Sequence, residues 1–252
     1  MGLLAALLYG SLQGLTEFLP VSSSGHLAYA ARLLNIEGAG LGLAVAAHVG
    51  TLLAVLWFYR RSISAIVARA QPDRGRRLAT FAWALLATLP GALLLSGPAE
   101  AAFARPLLVA AGFLVTSLLL LLLARLPLDG RDAPAALDGL LIGAAQGIAV
   151  WPGLSRSGAT IATARLLGVA PDAAAEFTFL LSVPTVLAAL GRELYRGGLG
   201  GTPPADLLAA FGAAAVVGIL GLRWLLGLLR RGRLSWFAIY TLALAGVGLW
   251  LG

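Results

Sequence analysis

Cysteine and lysine are both absent from this chain, and charged residues of any kind make up only 12% of it. Without cysteine there are no disulfides, thiolate zinc sites or cysteine nucleophiles. The missing lysine carries no mechanism of its own; it means only that all 18 basic side chains are arginine. The scarcity of charge is more decisive, because soluble domains carry about 25% charged residues. Hydrophobic residues reach 60% of the 252 positions. A chain of this size cannot bury that much apolar surface in one core, so its exterior must meet lipid. A soluble enzyme, a nucleic-acid binder and a disordered protein are thereby excluded. The net charge of +7 and the isoelectric point near 11.0 read as arginines that orient membrane segments. Residues 1–19 do not read as a cleavable signal, since a basic start is missing and Gln13 and Glu17 interrupt the apolar run.

A crossing needs about 20 apolar residues. Six segments meet or approach this: 41–58, 78–97, 106–124, 175–191, 206–228 and 234–251. Two other apolar regions are broken. Region 2–34 is interrupted at Thr16–His26 and region 137–168 at Trp151–Gly158. Their arms are mostly too short to cross, which predicts two re-entrant hairpins. Irregular backbone at membrane depth is tolerated only where protein or a water-filled cavity surrounds it, so both breaks are candidate sites. Arg60, Arg61, Arg69, Arg74, Arg76 and Arg77, and the turn with Arg230, Arg231 and Arg233, belong on the cytoplasmic side. Both hold only if 137–168 returns to the face it entered. The two hairpins then enter from opposite faces, with both termini outside.

The broken regions also align with each other. At an offset of 133, Gly10, Gln13, Gly14, Ser22, Ser24, Gly25 and Ala31–Leu34 face Gly143, Gln146, Gly147, Ser155, Ser157, Gly158 and Ala164–Leu167. With one more residue of shift, Thr51–Ala54 faces Thr185–Ala188. The expectation is an all-α polytopic membrane protein in a single domain, 1–252. It has six transmembrane helices plus two re-entrant helical hairpins in an inverted-topology repeat, about 1–125 and about 137–252. Such folds gather their site where broken helices meet near the midplane.

Ionisable groups at membrane depth are costly and usually functional. Glu17 and His26 lie in the first break, with Gln13 one helical turn before Glu17 on the same face. Ser22, Ser23 and Ser24 supply hydroxyls, and an imidazole beside a hydroxyl is a nucleophile arrangement. The second break brings Ser155, Arg156, Ser157 and Thr160. A capped helix start attracts anions, and the Arg156 guanidinium suits phosphate. A carboxylate, hydroxyl and imidazole facing an anion cradle suit phosphoryl transfer. Taken singly, each has a plainer reading. A Ser-Pro-Gly break is a kink, Glu17 a buried polar residue, and His26 or His48 a core histidine. Arg32 and Arg165 snorkel to headgroups, and most tryptophans are span-end anchors. Arg156 is the hardest to explain structurally.

Gln13–His26, QGLTEFLPVSSSGH, resembles the signature (E/Q)xxxE-FLPVSS-(S/T)-GH, and Pro152–Thr160, PGLSRSGAT, resembles PGxSRSxxT. Both belong to the undecaprenyl-diphosphate phosphatase family of the bacitracin-resistance type, which the chain resembles along its whole length. The resemblance implies hydrolysis of undecaprenyl diphosphate to the monophosphate at the outer face of the cytoplasmic membrane, recycling the lipid carrier of cell-wall synthesis. It implies a divalent cation, Mg²⁺ or Ca²⁺, near Glu17. Ser23 then matches the nucleophile and His26 its base, or the nucleophile itself. Arg156 matches the phosphate clamp, with Gln13, Ser22, Ser24, Ser155, Ser157 and Thr160 on the substrate. Gln13 in place of an acid removes one charge from the metal site. Many members carry an acid four residues before the histidine of the third helix; Ala44 stands there, so His48 is given no catalytic role. The expected partners are a polyprenyl diphosphate and membrane lipids, with a homodimer left open. A transporter or flippase remains the rival reading, because inverted repeats with broken helices also build transporters.

Overall fold

The computed structural model describes residues 2–33, 41–68, 73–197 and 201–252. Leu34, Arg69 and the other positions between these ranges lie outside the described residues. Among the described residues, eleven α-helices account for nearly all of the regular structure, with no strand beyond one isolated bridge.

Each expected feature has a helix. The first broken region is α1 (Leu3–Phe18) and α2 (Ser23–Leu33), followed by α3 (Leu41–Phe58). A short α4 (Arg60–Val67) leads to α5 (Arg74–Phe103) and α6 (Pro106–Leu123). The second broken region is α7 (Asp138–Ile148) and α8 (Arg156–Leu166). The chain finishes with α9 (Pro171–Gly197), α10 (Pro204–Leu229) and α11 (Ser235–Leu251). Among the described residues, four helices, in α5, α6, α9 and α10, are individually long and apolar enough to span a bilayer. A fifth candidate is α3 continued through a 68° bend into α4. The 17-residue α11 is apolar but shorter. This is a polytopic membrane protein. Its outer surface is leucine-rich, with Leu93, Leu94 and Trp250 about three-quarters exposed, as a lipid-facing exterior requires.

The helix limits follow local chemistry. α1 stops before Leu19-Pro20 because a residue preceding proline is pushed out of the helical region, and Leu19 is extended. α2 restarts after Ser22, which has φ 64°, the left-handed region that a serine rarely adopts. α7 ends before Pro152-Gly153. Gly153 has φ +85°, and a Cβ there would stand 2.1 Å from the carbonyl oxygen of Val109, so only glycine serves. The length of α5 departs from the expected 78–97. It runs on through Pro90 and Pro98, which helices in membranes accept when neighbours satisfy the freed carbonyls.

The short arms pack across the molecule. α1 lies against α10, where a Cβ on Gly10 would come within 2.2 Å of the Ala210 carbonyl oxygen and one on Gly14 within 2.6 Å of that of Ala214. α7 lies against α5 in the same way. A Cβ on Gly143 would reach 2.1 Å from the Ala84 oxygen, and one on Gly147 2.7 Å from that of Thr88. Small residues spaced four apart let these backbones touch, gaining dispersion where no hydrophobic effect separates helix from lipid.

The expectation that Arg165 snorkels is corrected. It is 5% exposed, and its guanidinium donates to the carbonyls of Pro127, Asp129 and Val169. Together with the paired backbones of Arg131 and Val169, it fastens the linker after α6 to the end of α8. The linker's bare carbonyls offer a better partner than distant headgroups. Its repeat counterpart Arg32 is exposed and donates to the carbonyl of Leu251 at 3.0 Å.

Candidate active site

The two breaks meet. Ser157 Oγ donates to the carbonyl of Leu19 at 3.3 Å. A Cβ on Gly25 would stand 2.8 Å from Gly153 Cα and 2.5 Å from the Phe113 ring, so the tips are in contact through glycine. Thr116 of α6 pins the second tip. Its hydroxyl donates to the Gly153 carbonyl at 2.9 Å and accepts from the Ser155 N–H at 2.9 Å.

Glu17, at the end of α1, is the hub. Its side chain is 8% exposed. One carboxylate oxygen accepts from Gln13 Nε2 and from Ser23 Oγ, each at 2.9 Å. The other is paired with the guanidinium of Arg156, the first residue of α8. Four of the residues singled out in the sequence thus converge on one point, three from the first hairpin and one from the second. Local geometry explains each: Gln13 and Glu17 are one turn apart on α1, Ser23 opens α2, and Arg156 opens α8.

His48 joins this group, although the sequence favoured a packing role for it. Its Nδ1 lies 2.7 Å from the carbonyl of Ala44. A carbonyl can only accept, so Nδ1 carries the hydrogen and the neutral ring leaves Nε2 as an acceptor. That Nε2 is 3.2 Å from Gln13 Nε2. Both amide hydrogens of Gln13 are therefore used, one on Glu17 and one on His48. The remaining Gln13 oxygen, Oε1, is buried with no partner.

His26 is turned elsewhere. Its Nδ1 is 2.7 Å from the Ser22 carbonyl and its Nε2 is 2.6 Å from the hydroxyl of Tyr240 on α11. The expected Ser23–His26 hydrogen bond is replaced by one from Ser23 to Glu17. The reason is local: His26 reaches back four residues to a carbonyl, and this swings its ring away from the start of α2.

The remaining hydroxyls shape the helix starts. Ser22 Oγ accepts from the Gly25 N–H at 3.3 Å, and Ser155 Oγ accepts from the Gly158 N–H at 3.1 Å. Ser24 and Ser157 each lie 3.2 Å from the capping serine of their own hairpin. Thr160 donates to the Arg156 carbonyl at 2.8 Å, steadying the backbone that carries the guanidinium. His48, Thr116 and Tyr240 were missed by sequence reasoning. They come from spans remote in the chain, and no spacing rule links them to the breaks.

Among the described residues, no three His, Asp or Glu side chains gather in a metal-binding group. Around Glu17 the protein offers one carboxylate, the free Gln13 oxygen and the Ser23 hydroxyl. This is an oxygen-only set, suited to a hard divalent cation that takes its other ligands from water and phosphate.

The chain is similar to known proteins. The family model described as bacitracin resistance protein BacA matches residues 6–247. A protein of Desulfatibacillum aliphaticivorans named undecaprenyl-diphosphatase is 38% identical, over 94% of this chain and 94% of its own length. One of the same name from Salinibacter ruber is 38% identical over 98% of both chains. Another, from Methanobrevibacter smithii, is 35% identical over 95% of this chain and 94% of its own. With a match that takes in both hairpins and nearly every helix between the termini, this chain belongs to the bacitracin resistance protein BacA family.

Proposed function

We propose that the protein hydrolyses undecaprenyl diphosphate to undecaprenyl phosphate and inorganic phosphate within the membrane. The observation that carries this is the Glu17 carboxylate, held between a hydroxyl and a guanidinium contributed by opposite hairpins. The diphosphate enters between the hairpin tips while its prenyl tail stays in lipid. Its phosphate oxygens take the Arg156 fork from Glu17, because a dianionic phosphate competes for the guanidinium. The freed carboxylate accepts the Ser23 proton as Ser23 Oγ attacks the terminal phosphorus. The Oγ–P bond forms, the bridging P–O bond breaks, and undecaprenyl phosphate leaves. Water then cleaves the phosphoserine, releasing phosphate and returning the proton to Ser23. Glu17 serves here as the base that the sequence had sought in His26; the 2.9 Å Ser23–Glu17 bond supports this assignment.

A divalent cation, Mg²⁺ or Ca²⁺, would be held beside Glu17 by its carboxylate and by the unpartnered Gln13 Oε1, and would supply charge neutralisation to the phosphates. The six-span inverted repeat, with halves 1–125 and 137–252, is supported by the reciprocal seating of α1 on α10 and α7 on α5. The arginine distribution supports termini outside the cytoplasmic membrane, and the family resemblance supports a site that opens to its outer face.

Phosphate release from undecaprenyl diphosphate by the purified protein tests the reading. Turnover is expected, with loss under chelator and recovery on adding Mg²⁺ or Ca²⁺. Movement of the lipid across vesicles with no phosphate released would favour a flippase instead.

A further inference from the structure

His26 is fixed on three sides, and the fixing residue farthest along the chain has no assigned part. The Ser22 carbonyl, 2.7 Å away, requires a hydrogen on Nδ1. In the neutral ring Nε2 is then a lone pair, and the phenolic O–H of Tyr240 donates to it at 2.6 Å. The two rings stack at a centroid distance of 5.6 Å and an interplanar angle of 22°. Phe113 meets the imidazole edge-on, also at 5.6 Å. Ser22, which sets the tautomer, is the only non-glycine with positive φ among the described residues, a strained backbone at a candidate site.

The plain explanation for a tyrosine on an apolar span is an interfacial anchor, with its ring in lipid and its hydroxyl toward the headgroups. Tyr240 departs from that pattern. It is 45% exposed, so packing does not demand it, yet its hydroxyl is engaged by an imidazole 214 residues away in the chain. A phenylalanine would fill the same space. Only the hydroxyl distinguishes the residue, and the hydroxyl is used on His26.

We infer that Tyr240 is a positioning residue for His26: it holds the imidazole plane and its Nδ1–H tautomer within the phosphatase site. The inference rests on the phosphatase reading for its kinetic arm and on geometry for the rest. Held in this way, His26 keeps its Nδ1–H on the carbonyl of Ser22 and so steadies the turn that carries Ser23 onto Glu17. Losing such an orienting bond lowers turnover more than it weakens binding.

The test compares full-length wild-type, Tyr240→Phe, His26→Ala and the double variant in phosphate release from undecaprenyl diphosphate. It is joined by ¹⁵N-histidine NMR of wild-type and Tyr240→Phe in detergent. The chain has two histidines, so His48→Gln assigns the pair of signals. Tyr240→Phe is expected to lower kcat on the order of 10-fold with KM nearly unchanged. It should shift the His26 Nε2 signal and add no further loss on top of His26→Ala. Wild-type kcat and an unmoved His26 signal in Tyr240→Phe would overturn the proposal, and so would additive losses in the double variant. A wild-type protein that releases no phosphate would instead overturn the phosphatase reading, and the NMR arm would then judge the Tyr240–His26 pair alone.

Discussion

Replacing Arg156 by alanine removes the cation from a carboxylate that is 8% exposed, while Arg156 itself is only 28% exposed in the pair. Breaking a buried pair from one side costs about 3–5 kcal/mol, because the other charge is left unpaired. Gln13 and Ser23 still donate to Glu17 in the variant, so the lower end applies, about 3 kcal/mol. For a chain of this size that corresponds to a fall of about 6–12 °C in melting temperature. Neutralising both partners, Glu17→Gln with Arg156→Met, should restore stability to within about 1 kcal/mol of wild type, since a buried pair replaced whole is often neutral. Activity should separate from stability. Phosphate release should drop on the order of 10³-fold in Arg156→Ala and stay down in the stable double variant, as for other arginines that carry transferring phosphoryl charge. Thermal unfolding in detergent and a phosphate-release assay read the two effects side by side. Turnover within a few-fold of wild type in Arg156→Ala would refute the reasoning and leave the pair a structural strut.

Other perturbations probe the frame around that pair. Gly25→Ala drives a methyl onto Gly153 and Phe113, forces the tips apart and should abolish phosphate release; Gly97→Ala, in open space, should leave it unchanged. Ser155→Ala deletes the cap of α8 and should cost about 1 kcal/mol in thermal unfolding, with a larger loss of kcat because Arg156 follows directly. Arg165→Ala strips three carbonyls of their donor and should destabilise by about 2 kcal/mol, whereas Arg32→Ala should change the melting temperature little.

Hydropathy and the two motifs made the helices and the hub readable from sequence. Gln13, Glu17 and Ser23 are near one another in the chain, so a turn of helix and a Pro-Val-Ser reversal already imply their proximity. Arg156 is far from them in the chain and could be joined to them only through the repeat and the second motif. His48 and Tyr240 escaped because their partners depend on how spans pack, which leaves no trace in spacing. Arg165 escaped for a different reason: snorkelling is the default for an arginine at a hairpin exit, and nothing local announced a ring of bare linker carbonyls. The extension of α5 to Phe103 lies beyond the apolar run 78–97, and Pro98 does not end a helix that has packed neighbours.

The seating of α1 on α10 also constrains how the molecule is made. Synthesis runs from the N-terminus, so α1 enters the membrane about 200 residues before the Gly10–Ala210 contact can form. Until then its two glycines face lipid or the insertion machinery, with no close-packed partner. Neither half of the catalytic hub can mature alone, since Glu17 waits for Arg156 and the helix carrying Glu17 waits for α10. Contacts this distant in sequence are slow to close. A truncation after α8 would therefore hold every charged residue of the hub and still lack the helix that seats Glu17. The phosphatase becomes an enzyme only near the end of its own translation.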